Sequence, residues 1–505
     1  MQQGRLAMAL SKGFLHHAER LIRAQTVSPQ GTRAAADLLQ PLYEHAGLQV
    51  RRQVVVEDGV EQINLLAGPG GLQSTEEELE PSRVDSSNGL LLVTHLDTVP
   101  PGPLEHWTET AQDPWALTEK DGFLFGLGVA DVKLDALCKA EAARRVQGTK
   151  LKRPFWLLGT FGEEVGLRGA RHFAQSELFA EVKPRWVMCG EPSELQIIHA
   201  HKGYAVVRCT VRDQRARLCS TAGPGTEELT FSGKAAHSST PHLGVNAIRK
   251  ALGYAKASGV AVLSVQGGTS SNVVPARCLM QVPTPRERGE PQPDSQRFLS
   301  AQPARPNLWR ALATVSALEE LWQEVLGGLL PAQDPRFDPP GALGGLNVLE
   351  STEAAVPAAG AGDIYGVAQV AATLDARLLP QHDPDALVAR FTERAHAWVK
   401  QLGRGELTLQ VAVTRNAFGM ALSDEAELVR RAGAVLGKAG LDPRPRAKPT
   451  STEAGVFARQ GCEAIVFGPG RSTGNAHTAN ERIEMAQLEQ ACDLYQSLLL
   501  ELCGS

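Results

Sequence analysis

Four short apolar runs in this chain lead into groups that an apolar core rejects. Leu90–Thr94 is followed at once by His95 and, two residues on, by Asp97. Pro154–Thr160 leads through Phe161-Gly162 to Glu163-Glu164. Arg185–Met188 leads through Cys189-Gly190 to Glu191, and Ala464–Phe467 leads into a glycine-rich loop carrying His477. A short, unbroken apolar run reads as a strand buried on both faces of an α/β sheet. Polar groups delivered at the ends of such strands lie along the carboxyl edge of the sheet, where α/β proteins place their ligand sites. This pattern excludes an all-helical or all-β chain and predicts an α/β fold with a polar site at one sheet edge.

The chain has 505 residues, 43% of them hydrophobic, which is too long for one ordinary core, so two domains are expected. Residues 1–200 alternate helical and strand-like patterns, with helices predicted at Gly13–Arg23, Arg33–His45, Ala136–Arg145 and Leu167–Ser176. The stretch Gly68–Asn88 reads as a surface loop. From about 201 to 417 the pattern changes, with strands at Tyr204–Val211, Glu228–Lys234, Asn272–Val282, Val370–Leu374 and Glu406–Thr414. A Pro- and Gly-rich stretch at about 283–362 holds one helical segment, Leu308–Leu329, and reads as an insertion. The α/β pattern returns over 418–505. The formal net charge of −5 gives no electrostatic footprint for nucleic acid. No apolar run reaches the roughly 18 residues of a membrane span, and Met1–His17 lacks the features of a signal peptide. The eight cysteines are scattered without a C-x-x-C pair, which predicts a reduced, cytoplasmic protein.

Taken singly, the polar groups have ordinary explanations. His95-x-Asp97 can be a loop histidine beside an aspartate. Asp131, in Gly126-Leu127-Gly128-Val129-Ala130-Asp131-Val132-Lys133, can be a helix N-cap. Glu163-Glu164 can be a solvated turn, although adjacent carboxylates after a buried strand repel each other and call for a cation. The Gly126-x-Gly128 pair lacks the third glycine of a dinucleotide loop. Together, two histidines and several carboxylates on one edge form a nitrogen and oxygen donor set suited to zinc or another divalent first-row metal. Asp97 is placed to fix the tautomer of His95.

These segments also resemble the M20 metallopeptidase family, which includes glutamate carboxypeptidases, acetylornithine deacetylases, succinyl-diaminopimelate desuccinylases and aminoacylases. The resemblance runs in order from about Ile63 to Glu484. It takes in His95-x-Asp97, Asp131-x-Lys133, Glu163-Glu164, Gly190-Glu191-Pro192, Ala236-His237-Ser238-Ser239-x-Pro241, Gly267-Gly268-Thr269-x-x-Asn272-Val273-Val274-Pro275, Asp375-x-Arg377 and His477-Thr478-x-Asn480-Glu481. It implies an α/β catalytic domain with a mixed sheet, as in zinc peptidases, interrupted by an inserted α+β lid and dimerisation domain. It implies two divalent ions, zinc with cobalt or manganese as alternatives, bridged by Asp131. His95 and Glu191 would complete one site, Glu164 and His477 the other, and Glu163 would be the general base. The peptide bond after Asp131 would be cis. Asn272 and Arg377 would grip a substrate carboxylate, and His237 would reach from one subunit of a homodimer into the partner's site. The sequence departs from the family at Gly162, where Asp is frequent, at Val132, at Leu134-Asp135 in place of small residues, and in the length of the stretch between Asn272 and Arg377.

The implied activity is amide hydrolysis in an N-acyl amino acid or short peptide with a free carboxylate. Glu191, where the aminopeptidase branch usually has Asp, favours a deacylase or carboxypeptidase over a di- or tripeptide aminopeptidase. A binding module that kept the fold and lost turnover is the reading from another class; the complete set of ligand-type residues and Glu163 weighs against it.

Overall fold

The computed structural model describes residues 10–70, 89–220, 225–284, 304–352, 365–403 and 405–504. Most of the loop expected at Gly68–Asn88, the start of the chain and parts of the 283–362 stretch lie outside them. Two compact units form: residues 1–201 with 420–505, and residues 202–419.

The first unit is built on a nine-stranded mixed sheet. Its strand order is Gln49–Glu57, Val60–Gly68, Phe155–Thr160, Leu90–His95, Trp186–Cys189, Glu463–Val466, Ile198–His201 and Met420–Ala421, with Arg446–Lys448 also paired to Ile198–His201. The middle four run parallel, and the three that deliver His95, Glu163-Glu164 and Glu191 are buried along their whole length. That burial is why the sequence shows them as unbroken apolar runs rather than as alternation. The helix Lys133–Val146 packs against Leu90–His95 and against the C-terminal helix Met485–Gly504. It is buried nearly all round, as a helix enclosed in a core must be.

The second unit has an eight-stranded sheet, all of its pairings antiparallel. The strand Leu343–Thr352 falls inside the stretch read as an insertion. It pairs on one side with Ser264–Gly267 and on the other with Tyr365–Leu378. The helix Trp309–Gly327, from the same stretch, places Leu312, Val315, Leu318 and Trp322 in the core of this unit. These two described parts of the stretch are integral to the sheet and core of the unit. The strand expected at Asn272–Val282 is divided into Val273–Val274 and Arg277–Pro283, because Pro275 between them has no N–H for a ladder.

Candidate metal centre

Three adjacent parallel strands end together and bring their following residues to one place. His95 Nε2 lies 3.1 Å from Asp131 Oδ1. On the other side of that carboxylate, His477 Nε2 lies 3.3 Å from Asp131 Oδ2 and 3.0 Å from Glu164 Oε1. Asp131 therefore sits between two imidazoles. Ligand atoms of His95, Glu163 and Glu164 lie within 4.8 Å of one another, as do those of Asp131, Glu164 and His477. Glu191 belongs to neither group. Its Oε2 is met at 3.1 Å by the ammonium of Lys448.

The chemistry of this set fits divalent cations. Burial, reinforced by the charges of Glu164 and Glu191, pushes the Glu163 carboxyl well above its ordinary range. Burial would also raise Asp131, yet hydrogen bonds with His477 and His95 hold its carboxyl below the usual range. A site that protonates one carboxylate while drawing positive charge onto another is short of cations. Imidazole with carboxylate donors matches the preference of zinc and its first-row neighbours.

The frame around these groups is tied by hydrogen bonds. The carboxylate of Glu481 accepts from the N–H groups of Gly128 (3.0 Å), Ala130 (2.8 Å) and Asp131 (2.9 Å), and so fixes the loop that presents Asp131. The Asp131–Val132 peptide bond is cis. Burial pushes the Glu481 carboxyl up to about 7.

Asp97 works differently from the sequence reading. His95 Nδ1 is 3.0 Å from the backbone carbonyl of Asp97 and 3.7 Å from its carboxylate, so the carbonyl, not the carboxylate, orients the imidazole. The carboxylate accepts instead from the N–H groups of Glu163 (3.1 Å) and Glu164 (3.3 Å) and from Ser28 Oγ (2.7 Å). It holds the Glu-Glu turn in place. Gly162, before that turn, has φ +63, a left-handed conformation that glycine adopts without a Cβ penalty.

Beneath the sheet edge, Asp135 forms a buried network that sequence reasoning missed. Its Oδ2 lies 2.5 Å from Lys139 Nζ and accepts from Thr94 Oγ1 at 2.8 Å. Its Oδ1 accepts from Tyr495 at 2.5 Å. Lys139 also donates to the carbonyl of Val93 at 2.6 Å. Gly190, just before Glu191, packs so closely on this network that a Cβ there would come within 2.0 Å of Asp135 Oδ2. Glu453 was missed as well. It is buried, accepts from Thr160 Oγ1 at 3.0 Å, and its carboxyl is pushed up to about 7 by burial. Lys448 and Glu453 are more than 250 residues from the groups they touch in the fold, and no local pattern marks them.

His237, Asn272 and Arg377 lie in the second unit, and two of them, Arg377 and Asn272, bond to Ser238. Arg377 donates to Ser238 Oγ from Nε (3.4 Å) and Nη2 (3.2 Å). It is buried, and its guanidinium stacks 3.6 Å from the centre of the Tyr204 ring. The N–H of Ser238 donates to the carbonyl of Asn272 at 2.8 Å. His237 is exposed and its Nδ1 is 2.6 Å from Ser239 Oγ.

Residues 91–501 match the model of peptidase family M20/M25/M40. Acetylornithine deacetylases from Yersinia pseudotuberculosis and Yersinia pestis are 33% identical over 225 residues, which are 45% of this chain and 48% of theirs. The match thus spans about half the length of these relatives. The fold resembles that of an aminoacylhistidine dipeptidase from Vibrio alginolyticus (TM-score 0.60, 14% identity, 98% of each chain covered). It also resembles that of an M20 family metallo-carboxypeptidase from Sulfolobus solfataricus (TM-score 0.57, 16% identity, 98% of this chain and 99% of that one).

Proposed function

The chain belongs to peptidase family M20/M25/M40, and from that premise we propose that it hydrolyses the amide bond of an N-acyl amino acid or short peptide bearing a free carboxylate. The observation that carries this reading is the Asp131 carboxylate set between the imidazoles of His95 and His477, with Glu164 on the second imidazole and Glu163 beside the first group. Asp131, His95, Glu164, His477 and Glu191 would hold two divalent ions, zinc or a first-row neighbour. Such ions supply Lewis acidity toward an amide carbonyl and make water more acidic. Glu163 is the general base. It takes a proton from water and returns it to the leaving amine, a role open to a carboxylate placed beside His95 and Glu164.

The frame keeps these groups in position. Asp97 fixes the backbone of Glu163 and Glu164, and Glu481 fixes that of Asp131, so Glu163 and Asp131 have little freedom to reorganise. In the second unit, Arg377 and Asn272 are the candidates for the substrate carboxylate and His237 for an oxyanion contact in a homodimer. Glu191 supports a deacylase or carboxypeptidase over an aminopeptidase, and the eight free cysteines support a cytoplasmic location.

The test is turnover of acetyl-, succinyl- and aminoacyl-amino acids by protein loaded with Zn²⁺, Co²⁺ or Mn²⁺, abolished by chelator. Glu163→Ala should keep the metal content and lose most of kcat. If metal and activity fall together, Glu163 is a ligand and the general-base assignment is wrong. Failure of every substrate class with the metal-loaded protein overturns the amidase reading.

A further inference from the structure

Glu191 is the ligand-type residue that stands outside both donor groups, and it is paired with a cation of the chain's own. Lys448 closes the short strand Arg446–Lys448, whose parallel pairing places Lys448 opposite His201. Its ammonium reaches Glu191 Oε2 at 3.1 Å, with the lysine side chain 15% and the glutamate side chain 10% exposed. A surface ion pair of this length would carry little weight, but this one is nearly enclosed and lies among the carboxylates of the metal centre.

The charge of that centre makes the pair consequential. Asp97, Asp131, Glu163, Glu164 and Glu191 bring five negative charges when ionised. Glu453 and Glu481 are buried close by as well, so the centre is rich in carboxylate, and Lys448 is a cation of the chain's own that meets one of these groups. A carboxylate has two oxygens, and Lys448 already meets one of those on Glu191. An ion drawn to Glu191 is left the other oxygen and is repelled by a nearby ammonium, and that repulsion is strong where water is scarce.

We infer that Lys448 sets the affinity of the ion held through Glu191, keeping it the more weakly bound of the two, and that removing its charge tightens that ion alone. The inference rests on the two-metal reading above. Lys448 is a positioning and charge-balancing residue for Glu191 and has no assigned contact with the substrate.

The experiment titrates chelator-stripped full-length protein with Zn²⁺ against a chromogenic chelator, and with Mn²⁺ by calorimetry, without reference to activity. The unsubstituted protein should take up two ions with unequal affinities. Lys448→Met should tighten the weaker ion by about tenfold or more and leave the tighter one within about threefold. Lys448→Gln keeps a donor for Glu191 without the charge and should act in the same direction; it serves if the Met variant does not fold. Glu191→Gln should abolish uptake of the weaker ion. Unchanged or weaker binding in a folded Lys448 variant overturns the role of Lys448 and leaves the two-metal site standing. Uptake of fewer than two ions at saturation by the unsubstituted protein overturns the two-metal reading and this inference with it.

Discussion

Lys139→Met should cost this protein more stability than most single substitutions, and Asp135 is the reason. The two side chains are 2% and 0% exposed and 2.5 Å apart. Without the ammonium, the Asp135 carboxylate keeps its bonds from Thr94 and Tyr495 but has no counter-charge in its interior position. Breaking one half of a buried pair typically costs about 3–5 kcal/mol. In a unit of this size that is a fall in Tm of roughly 6–10 °C. Asp135→Leu strands Lys139 in the same way, with the carbonyl of Val93 and Thr94 Oγ1 as its remaining acceptors. The double variant Asp135→Leu/Lys139→Met removes both charges, and Tyr495 can still donate to the carbonyl of Phe467 at 3.0 Å. It should recover most of the loss, because the pair offsets its own desolvation and contributes little beyond that. Calorimetry and urea unfolding of the full chain measure all three. A Lys139→Met variant within about 1 kcal/mol of the parent, or a double variant as unstable as the two single losses added, would refute the reasoning.

Two further outcomes are expected. Asp375 is buried in the second unit, and burial pushes its carboxyl up to about 6 despite the opposing charge of Arg377; the unfolded carboxyl titrates near 3.8. The folded state therefore holds the proton more tightly, and its stability falls as pH rises from about 4 to about 6, by at most about 3 kcal/mol. Asp375→Asn should flatten that part of the curve in urea unfolding at pH 4.5 and pH 7, and parallel curves for parent and variant would remove the assignment. Mixing inactive His237→Ala with inactive Glu163→Ala should restore activity through hybrid dimers, and no recovery despite proven subunit exchange rules out a contact in trans.

The parts of the fold legible in sequence were those whose environment is uniform along the chain. Leu90–His95, Phe155–Thr160 and Trp186–Cys189 are buried at every position, so each leaves an unbroken apolar run. The edge hairpin Gln49–Glu57 with Val60–Gly68 was not read. Its outer strand is half exposed throughout and mixes Arg, Gln and Val without clean alternation. Leu343–Thr352 was hidden by Gly344 and Gly345, which look like loop punctuation. A Cβ at Gly344 would meet the carbonyl of Asp375 at 2.4 Å and Trp322 Nε1 at 2.9 Å. That glycine marks a close approach inside a sheet, not a turn. In the site, His95, Asp131, the Glu pair, Glu191 and His477 were visible because each follows an apolar strand or heads a helix. Lys448, Glu453, Asp135 and Lys139 were not, since their meaning lies in partners that only the fold supplies.

Accounting for partners separates the frame of the site from its working groups. Asp135 has Lys139, Thr94 and Tyr495. Asp97 has two backbone N–H groups and Ser28, and Glu481 has three backbone N–H groups. Each of these carboxylates accepts hydrogen bonds or a counter-charge from the protein itself, as buried polar groups must, and each holds another segment in place. Asp131 and Glu164 meet imidazoles instead. Imidazole is the partner that lends itself to metal sharing: deprotonated, it offers a lone pair, and the carboxylates beside it then need a cation. The carboxylates bonded to N–H, O–H or ammonium donors are therefore assigned to the scaffold, and those that face imidazole are the ones that would hold divalent ions in the proposed function. Glu191, which meets a lysine, falls between the two classes, and for that reason the metal affinity of Lys448 variants is the measurement that best probes how this site is balanced.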